Sequence, residues 1–323
     1  MSELPVAFTA WISAATCGPT LGPALSIYGV ALTKMMPMYG LLIVSMACLG
    51  LMLIALPETL PAKLAQGTVG HVKHRSRDPQ VGICQMAAKT LCRPLRLMIT
   101  NAAIFFANLY TCLMYAIYYS FFESFPQVYL QYHKFSYKQL GLAFLAIALG
   151  AVLGILPYLL CARWWRKNFH ALDEHSRPER CLEPALFASV LVSTGLFIFA
   201  MTAKSDFSWY WSLTGVVVET AGVVIVLQCL ANYLLLAYPS DAASLLAGND
   251  LMRSIFAAGS ILLSPSIYDH LGPQLAVFIL ACTTAGCALG MLAMYLCGHD
   301  LRSEYLGTVM EEVSAVTGPR SIG

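Results

Sequence analysis

Eight apolar runs, each about 20 residues or longer, follow one another along this chain with few charges between them. A helix rises about 1.5 Å per residue, so about 20 apolar residues cross the hydrocarbon core of a bilayer. Lipid cannot satisfy open backbone groups, so spanning segments of this kind must be helical. The runs place spans near 6–32, 36–56, 98–122, 138–162, 184–203, 212–236, 243–268 and 274–297. Only 11% of the 323 residues are Asp, Glu, Lys or Arg, and 58% are hydrophobic. A soluble domain carries about 25% charged residues. The expected fold class is therefore an all-α polytopic membrane protein.

Lys and Arg between the spans set the orientation. If every run crosses, fourteen of them fall on one side, in 57–97, in the connection after the fourth span and in the tail. Four fall on the other side: Lys34, Lys134, Lys138 and Lys204. Both termini are expected to be cytoplasmic, with the first span acting as its own insertion signal. The division this suggests is 1–56, two spans of a first bundle; 57–97, a cytoplasmic central loop; 98–297, a six-span bundle; and 298–323, a cytoplasmic tail. The eleven cysteines are scattered, with no CxxC, and read as small packing residues. His71 and His74 lack a third ligand at metal-site spacing, and no cofactor is called for.

The first run contains CGPTLGPALS, with Gly18-Pro19 and Gly22-Pro23 four residues apart. Each proline removes a ladder hydrogen bond, and GxxxG lets two backbones approach closely. A bent or locally unwound helix is expected, its freed carbonyls covered by a neighbour and its Gly18/Gly22 face tightly packed between bundles.

This stretch resembles the antiporter motif in the fifth span of drug:proton antiporters of the major facilitator superfamily. It departs from the family pattern at Ser26 and Ile27, where that pattern has two glycines. Pro57-Glu58-Thr59 resembles the sequence that closes the sixth span of fungal members, and Arg93-Pro94-Leu95 the one before their seventh. Residues 115–129, YAIYYSFFESFPQVY, 141–145, GLAFL, and 232–259, NYLLLAYPSDAASLLAGNDLMRSIFAAG, are similar to later parts of the same family. The resemblance implies a match to spans five to twelve of a twelve-span transporter, hence an N-terminally truncated major facilitator fold. The family's acidic motif between spans two and three has no counterpart here.

Transport sites in such folds lie between the halves, near the midplane. In the third run Asn101, Phe105, Asn108, Cys112, Tyr115 and Tyr119 share one helical face. With amide donors and aromatic surface, they suit a cavity for amphipathic organic compounds. Gln228 and Asn232 share a face of the sixth run and join the cavity candidates. The competing reading is that these polar groups glue neighbouring helices together. Glu219 sits among valines in the sixth run, and an intramembrane acid marks a candidate for proton coupling. Asp250 and Arg253, three residues apart, are expected to form a structural or gating ion pair. Asn249, Arg253, Phe256, Ser260 and Ser264 trace a second polar stripe. Gly150 to Gly154 and Gly286 to Gly290 read as packing faces.

No nucleophile–base pair, phosphate loop or nucleic-acid patch occurs, so an enzyme is not expected. The resemblance implies a secondary transporter at a fungal plasma membrane. It would export drugs, mycotoxins or other secondary metabolites against inward proton flow, with the lipid bilayer, protons and a small organic substrate as its partners. The alternative is a non-transporting remnant, or a membrane partner of another transporter chain held through the Gly18/Gly22 face.

Overall fold

A computed structural model of the chain describes residues 4–32, 35–55, 101–169, 178–204, 206–238 and 242–317. The central loop 57–97 and its two motifs, His71 and His74, and Pro239 to Asp241 lie outside the described residues. Among the described residues there is helix and no strand. The helices are α1 (Leu4–Leu32), α2 (Met36–Ala55), α3 (Ala102–Phe125), α4 (Tyr137–Phe169), α5 (Glu183–Thr202) and α6 (Trp209–Ala237). A last helical run, Ala242–Thr317, is broken by non-helical angles at Gly272 (φ 74°, ψ 153°), in the left-handed half of backbone space that favours glycine. It is two helices, α7 (242–271) and α8 (273–317). Each of the eight apolar runs thus carries a helix. Among the described residues six segments are long and apolar enough to cross a bilayer, the last of them containing both α7 and α8. The chain is a multi-pass membrane protein.

Two compact units divide the chain, one made of 1–24 with 93–323, the other of 25–92. In the smaller unit the end of α1 and α2 are described. A Cβ at Gly29 would touch the Pro37 ring at 3.4 Å, so the end of α1 lies close to the start of α2. No residue of α2 is buried, which leaves an apolar helix exposed on every side.

The larger unit has a continuous apolar core. On α3, Ala103, Ala107, Tyr110, Met114, Ile117 and Phe121 are buried, alternating by four and three as a helix face requires. Asn101 caps this helix: its Oδ1 accepts from the backbone N–H of Ala103 (2.9 Å) and Ile104 (3.2 Å). Past Phe125 the chain widens into a π-helix, Pro126–Tyr132, and leaves it through Lys134, which has positive φ. Ser136 and Gln139 then open α4 as a reciprocal capping box, Gln139 Oε1 accepting from Ser136 N at 2.8 Å.

Glycines set how closely α6 is approached. A Cβ at Gly150 or Gly154 of α4 would lie 2.6 Å from Val217 O or 2.5 Å from Ala221 O. From α5, Gly195 meets the backbone of Glu219 and Gly215, and Gly222 of α6 meets Ala188 O. Lipid tails are as apolar as leucine, so such backbone approach, rather than burial of large side chains, is what holds spans together. Gly290 rests on Phe106 of α3, whereas Gly286 faces open space. The packing role expected of these glycine pairs thus holds for Gly150, Gly154 and Gly290, not Gly286.

Helix α1 corrects an expectation. It runs unbroken through Pro19 and Pro23, and a Cβ at Gly18 or Gly22 would meet nothing within 4 Å. The buried stripe is instead Ile12, Thr16, Thr20 and Ala24. Small residues permit close approach without causing it; here the stripe on the opposite side of the helix carries the contact. The neighbour does supply a donor near the proline gap, since Tyr118 of α3 donates to Thr16 O at 2.7 Å. Thr16 and Thr20 hydroxyls donate to Ile12 O and Cys17 O within the helix.

Candidate functional site

Four helices of the larger unit enclose a cavity of about 470 Å³. Trp11 and Ile12 come from α1, Thr111 and Tyr115 from α3, and Leu227, Ala231 and Leu234 from α6. Helix α7 supplies Leu246, Ala247, Asn249, Asp250 and Arg253. The wall is mostly apolar with a few polar groups gathered on α3 and α7, the usual make-up of a small-molecule site. A second, much smaller cavity of about 20 Å³ adjoins Thr16, Tyr118, Tyr119 and Val223, and shares Tyr115 and Leu227 with the first.

The polar groups of the large cavity centre on Arg253. Its guanidinium lies over the rings of Tyr115 and Trp11, 4.3 Å and 5.0 Å from their centroids. Its Nη1 donates to the Tyr115 hydroxyl. Nε, at 2.6 Å, and Nη2 both donate to Oδ1 of Asp250, so the expected ion pair is present. Both partners wall the cavity, a position that the reading as a structural or gating ion pair did not anticipate. Asn249 sits one turn earlier and donates to Asn108 Oδ1 at 2.5 Å. One turn beyond Phe256, Ser260 donates to Ala116 O at 2.6 Å. The polar stripes of the third and seventh runs therefore face each other as two sides of one seam. Phe105 and Phe256, each assigned to one of these stripes, are exposed instead.

Several candidates lie elsewhere. Asn101 is the cap of α3 and does not wall the cavity. Asn108 is buried behind Asn249. Tyr115 walls both cavities and Tyr119 only the small one. Gln228 is buried, and Asn232 donates to the Tyr158 hydroxyl of α4, so this pair faces α4 and the core. The physical reason is the crowding of α6, whose α4-facing side is as buried as its cavity side. Gly18, Pro19, Gly22 and Pro23 take no part in the cavity. Sequence reasoning missed Trp11, Thr111 and Leu246. Trp11 is the one with a signal, a lone indole within an apolar run that also holds the glycine-proline pairs.

Glu219 is buried at the crossing of α5 and α6, accepting from the Thr220 hydroxyl at 3.0 Å. It walls neither cavity. Val223, one turn further on, does wall the small one, and the Tyr118 hydroxyl is close enough to Glu219 to interact electrostatically. Among the described side chains no group of three His, Cys, Asp or Glu could hold a metal ion.

Comparison with known proteins gives this architecture a lineage. Over 315 residues the chain is 33% identical to the MFS-type transporter pyvG of Aspergillus violaceofuscus, covering 94% of this chain and 58% of that one. It is 31% identical over 224 residues to the efflux pump FUB11 of Gibberella fujikuroi, covering 69% and 39%. It is 25% identical over 336 residues to a cycloheximide resistance protein of Candida maltosa, covering 94% and 59%. The chain thus spans less than two thirds of the length of these relatives. A sequence model of the Major Facilitator Superfamily matches residues 2–248, and with apolar helices around a mixed polar and aromatic cavity, this chain belongs to that superfamily.

Proposed function

We propose that this chain is the cavity-bearing part of a secondary active transporter that exports small organic compounds in exchange for protons. The observation that carries the reading is the cavity of about 470 Å³ between α1, α3, α6 and α7, apolar in most of its wall and with one clustered polar side. Such a wall accepts varied amphipathic molecules and orients them by few contacts. The names of the relatives, transporter and efflux pump, support the same direction of movement. Drugs and secondary metabolites are the proposed cargo, the plasma membrane the proposed location, and the Lys and Arg bias puts both termini in the cytoplasm.

Glu219 is the proposed proton carrier. It is the acid buried at the α5–α6 crossing, one turn from Val223, which walls the small cavity together with Tyr118, Tyr119 and Tyr115, and Tyr115 also walls the large cavity. In proteoliposomes with an imposed pH gradient, the chain should drive uptake or release of a fluorescent amphipathic organic dye. Glu219→Gln should abolish pH-driven flux and leave dye binding intact. Equal flux by the variant refutes the assignment.

A second reading has one observation in its favour, the open Gly18/Gly22 face. There the chain would be a membrane partner of another transporter chain. It predicts no flux from the chain alone, and crosslinking of Gly18→Cys to a co-expressed relative.

A further inference from the structure

The large cavity contains one cationic and one acidic side chain, and the two are unequally placed. Arg253 is 12% exposed and Asp250 55% exposed. Two guanidinium N–H groups converge on a single oxygen, Oδ1. Asp250 is three residues back on the same helix, so its carboxylate reaches the guanidinium from the side. The stronger arrangement, two parallel N–H groups on two oxygens, is not made. The guanidinium plane is held by Trp11 and Tyr115, which leaves it pre-organised for a planar partner. Nearby, Asn108 Oδ1 is taken by Asn249, while its Nδ2 is buried with no hydrogen-bond partner. The polar side of the site thus has a guanidinium met by a single carboxylate oxygen, with one unpartnered amide donor behind Asn249.

We propose that the cavity selects organic monoanions: a carboxylate on an aromatic or aliphatic body, which replaces Asp250 on Arg253 while its body lies against Trp11, Leu227, Leu234 and Leu246. The displaced Asp250 side chain, already largely exposed, turns to water, and the buried guanidinium stays neutralised. A cation meets the opposite situation, because the carboxylate it would need, Asp250, is already held by Arg253 and the cavity wall presents the like charge of that guanidinium. The assignment of a substrate class rests on reading this cavity as the transport site; the binding preference itself does not.

The test uses the full chain in lipid nanodiscs and three probes of matched shape: 2-naphthoate, 2-naphthamide and 2-naphthylmethylammonium, with affinities from calorimetry. The expected order has naphthoate at least tenfold tighter than either of the others. Asp250→Asn, which removes the internal competitor, should tighten naphthoate several-fold and leave naphthamide unchanged. Arg253→Gln should bring naphthoate down to the naphthamide level, and Arg253→Lys should restore part of the difference. Each variant's naphthoate-to-naphthamide ratio is internal to that variant, so partial unfolding scales both alike and leaves the ratio. A purely structural ion pair would make both Arg253→Gln and Asp250→Asn weaken every probe equally. That result overturns the proposal, as does ammonium binding as tight as naphthoate, or binding of none of the three by the unaltered chain. Selective naphthoate binding without proton-driven naphthoate uptake in proteoliposomes would overturn the transport reading and leave the anion preference standing.

Discussion

Gly154 offers a direct test of how α4 and α6 are held together. A Cβ placed there would lie 2.5 Å from Ala221 O and 3.0 Å from Ala221 Cα. Ordinary contact begins near 3.4 Å, so Gly154→Ala must push the helices about 0.9 Å apart at this point. The obstacle is backbone, which cannot rotate away as a side-chain tip can. Overpacking costs about 1–3 kcal/mol in general, and a backbone obstacle puts this case near the upper end. Gly286 provides the control, since nothing lies within 4 Å of its Cβ position and it is exposed on α8. There alanine should stabilise by about 0.5–1 kcal/mol through backbone entropy alone. The same one-carbon change should therefore differ by about 3 kcal/mol or more between the two sites. The assay is reversible unfolding of the purified chain by SDS in mixed micelles, followed by circular dichroism. Equal unfolding midpoints for Gly154→Ala and Gly286→Ala would refute the claim that close backbone approach holds these helices.

Two further outcomes follow from local structure. Asn101→Ala should cost about 1 kcal/mol through loss of the α3 cap, with transport rates per folded molecule unchanged because Asn101 is outside the cavity; a specific loss of flux would return it to the substrate site. Burial holds the His133 imidazole, beyond the end of its span, below its ordinary value of 6.5, with Nε2 enclosed and unpartnered. The unfolded chain then takes up the proton more readily, so this contribution to stability is intact above about pH 6.5 and is lost as the pH falls below it. His133→Gln should flatten the fall in SDS midpoint between about pH 7 and 5, and a wild-type chain that gained stability over the variant on acidification would contradict the sign.

The helices were legible in the sequence because a bilayer imposes a length on apolar runs: each of the eight runs holds a helix, and ends such as 98–122 against Ala102–Phe125 differ by a few residues. The Asp250–Arg253 pair was legible because three residues on a helix bring side chains together whatever surrounds them. Facing is a different matter. Asn101 carries a cap signal, an Asn directly before an apolar run, yet its in-phase spacing with Asn108 made it look like part of a stripe. Asn232 turns toward Tyr158 and Gln228 into the core, and no pattern within α6 alone distinguishes its cavity side from its α4 side. Gly18 and Gly22 form a motif that permits contact, and the neighbour packs on the opposite face. That the two polar stripes are one seam depends on α3 and α7 being neighbours, which only the tertiary structure decides.

The Tyr118–Thr16 hydrogen bond makes α1 a lever. Thr16 is the fulcrum, and Trp11 stands five residues away, about 7.5 Å along the helix axis. A tilt of about 10° about that point carries Trp11 sideways by about 1.3 Å. Moved outward by that amount, a ring now 5.0 Å from the Arg253 guanidinium passes beyond the roughly 6 Å reach of a cation–π contact. A rocking motion of α1 too small to unseat its buried stripe is therefore enough to release one face of the guanidinium, coupling the angle of one helix to the grip of the cavity on what it holds.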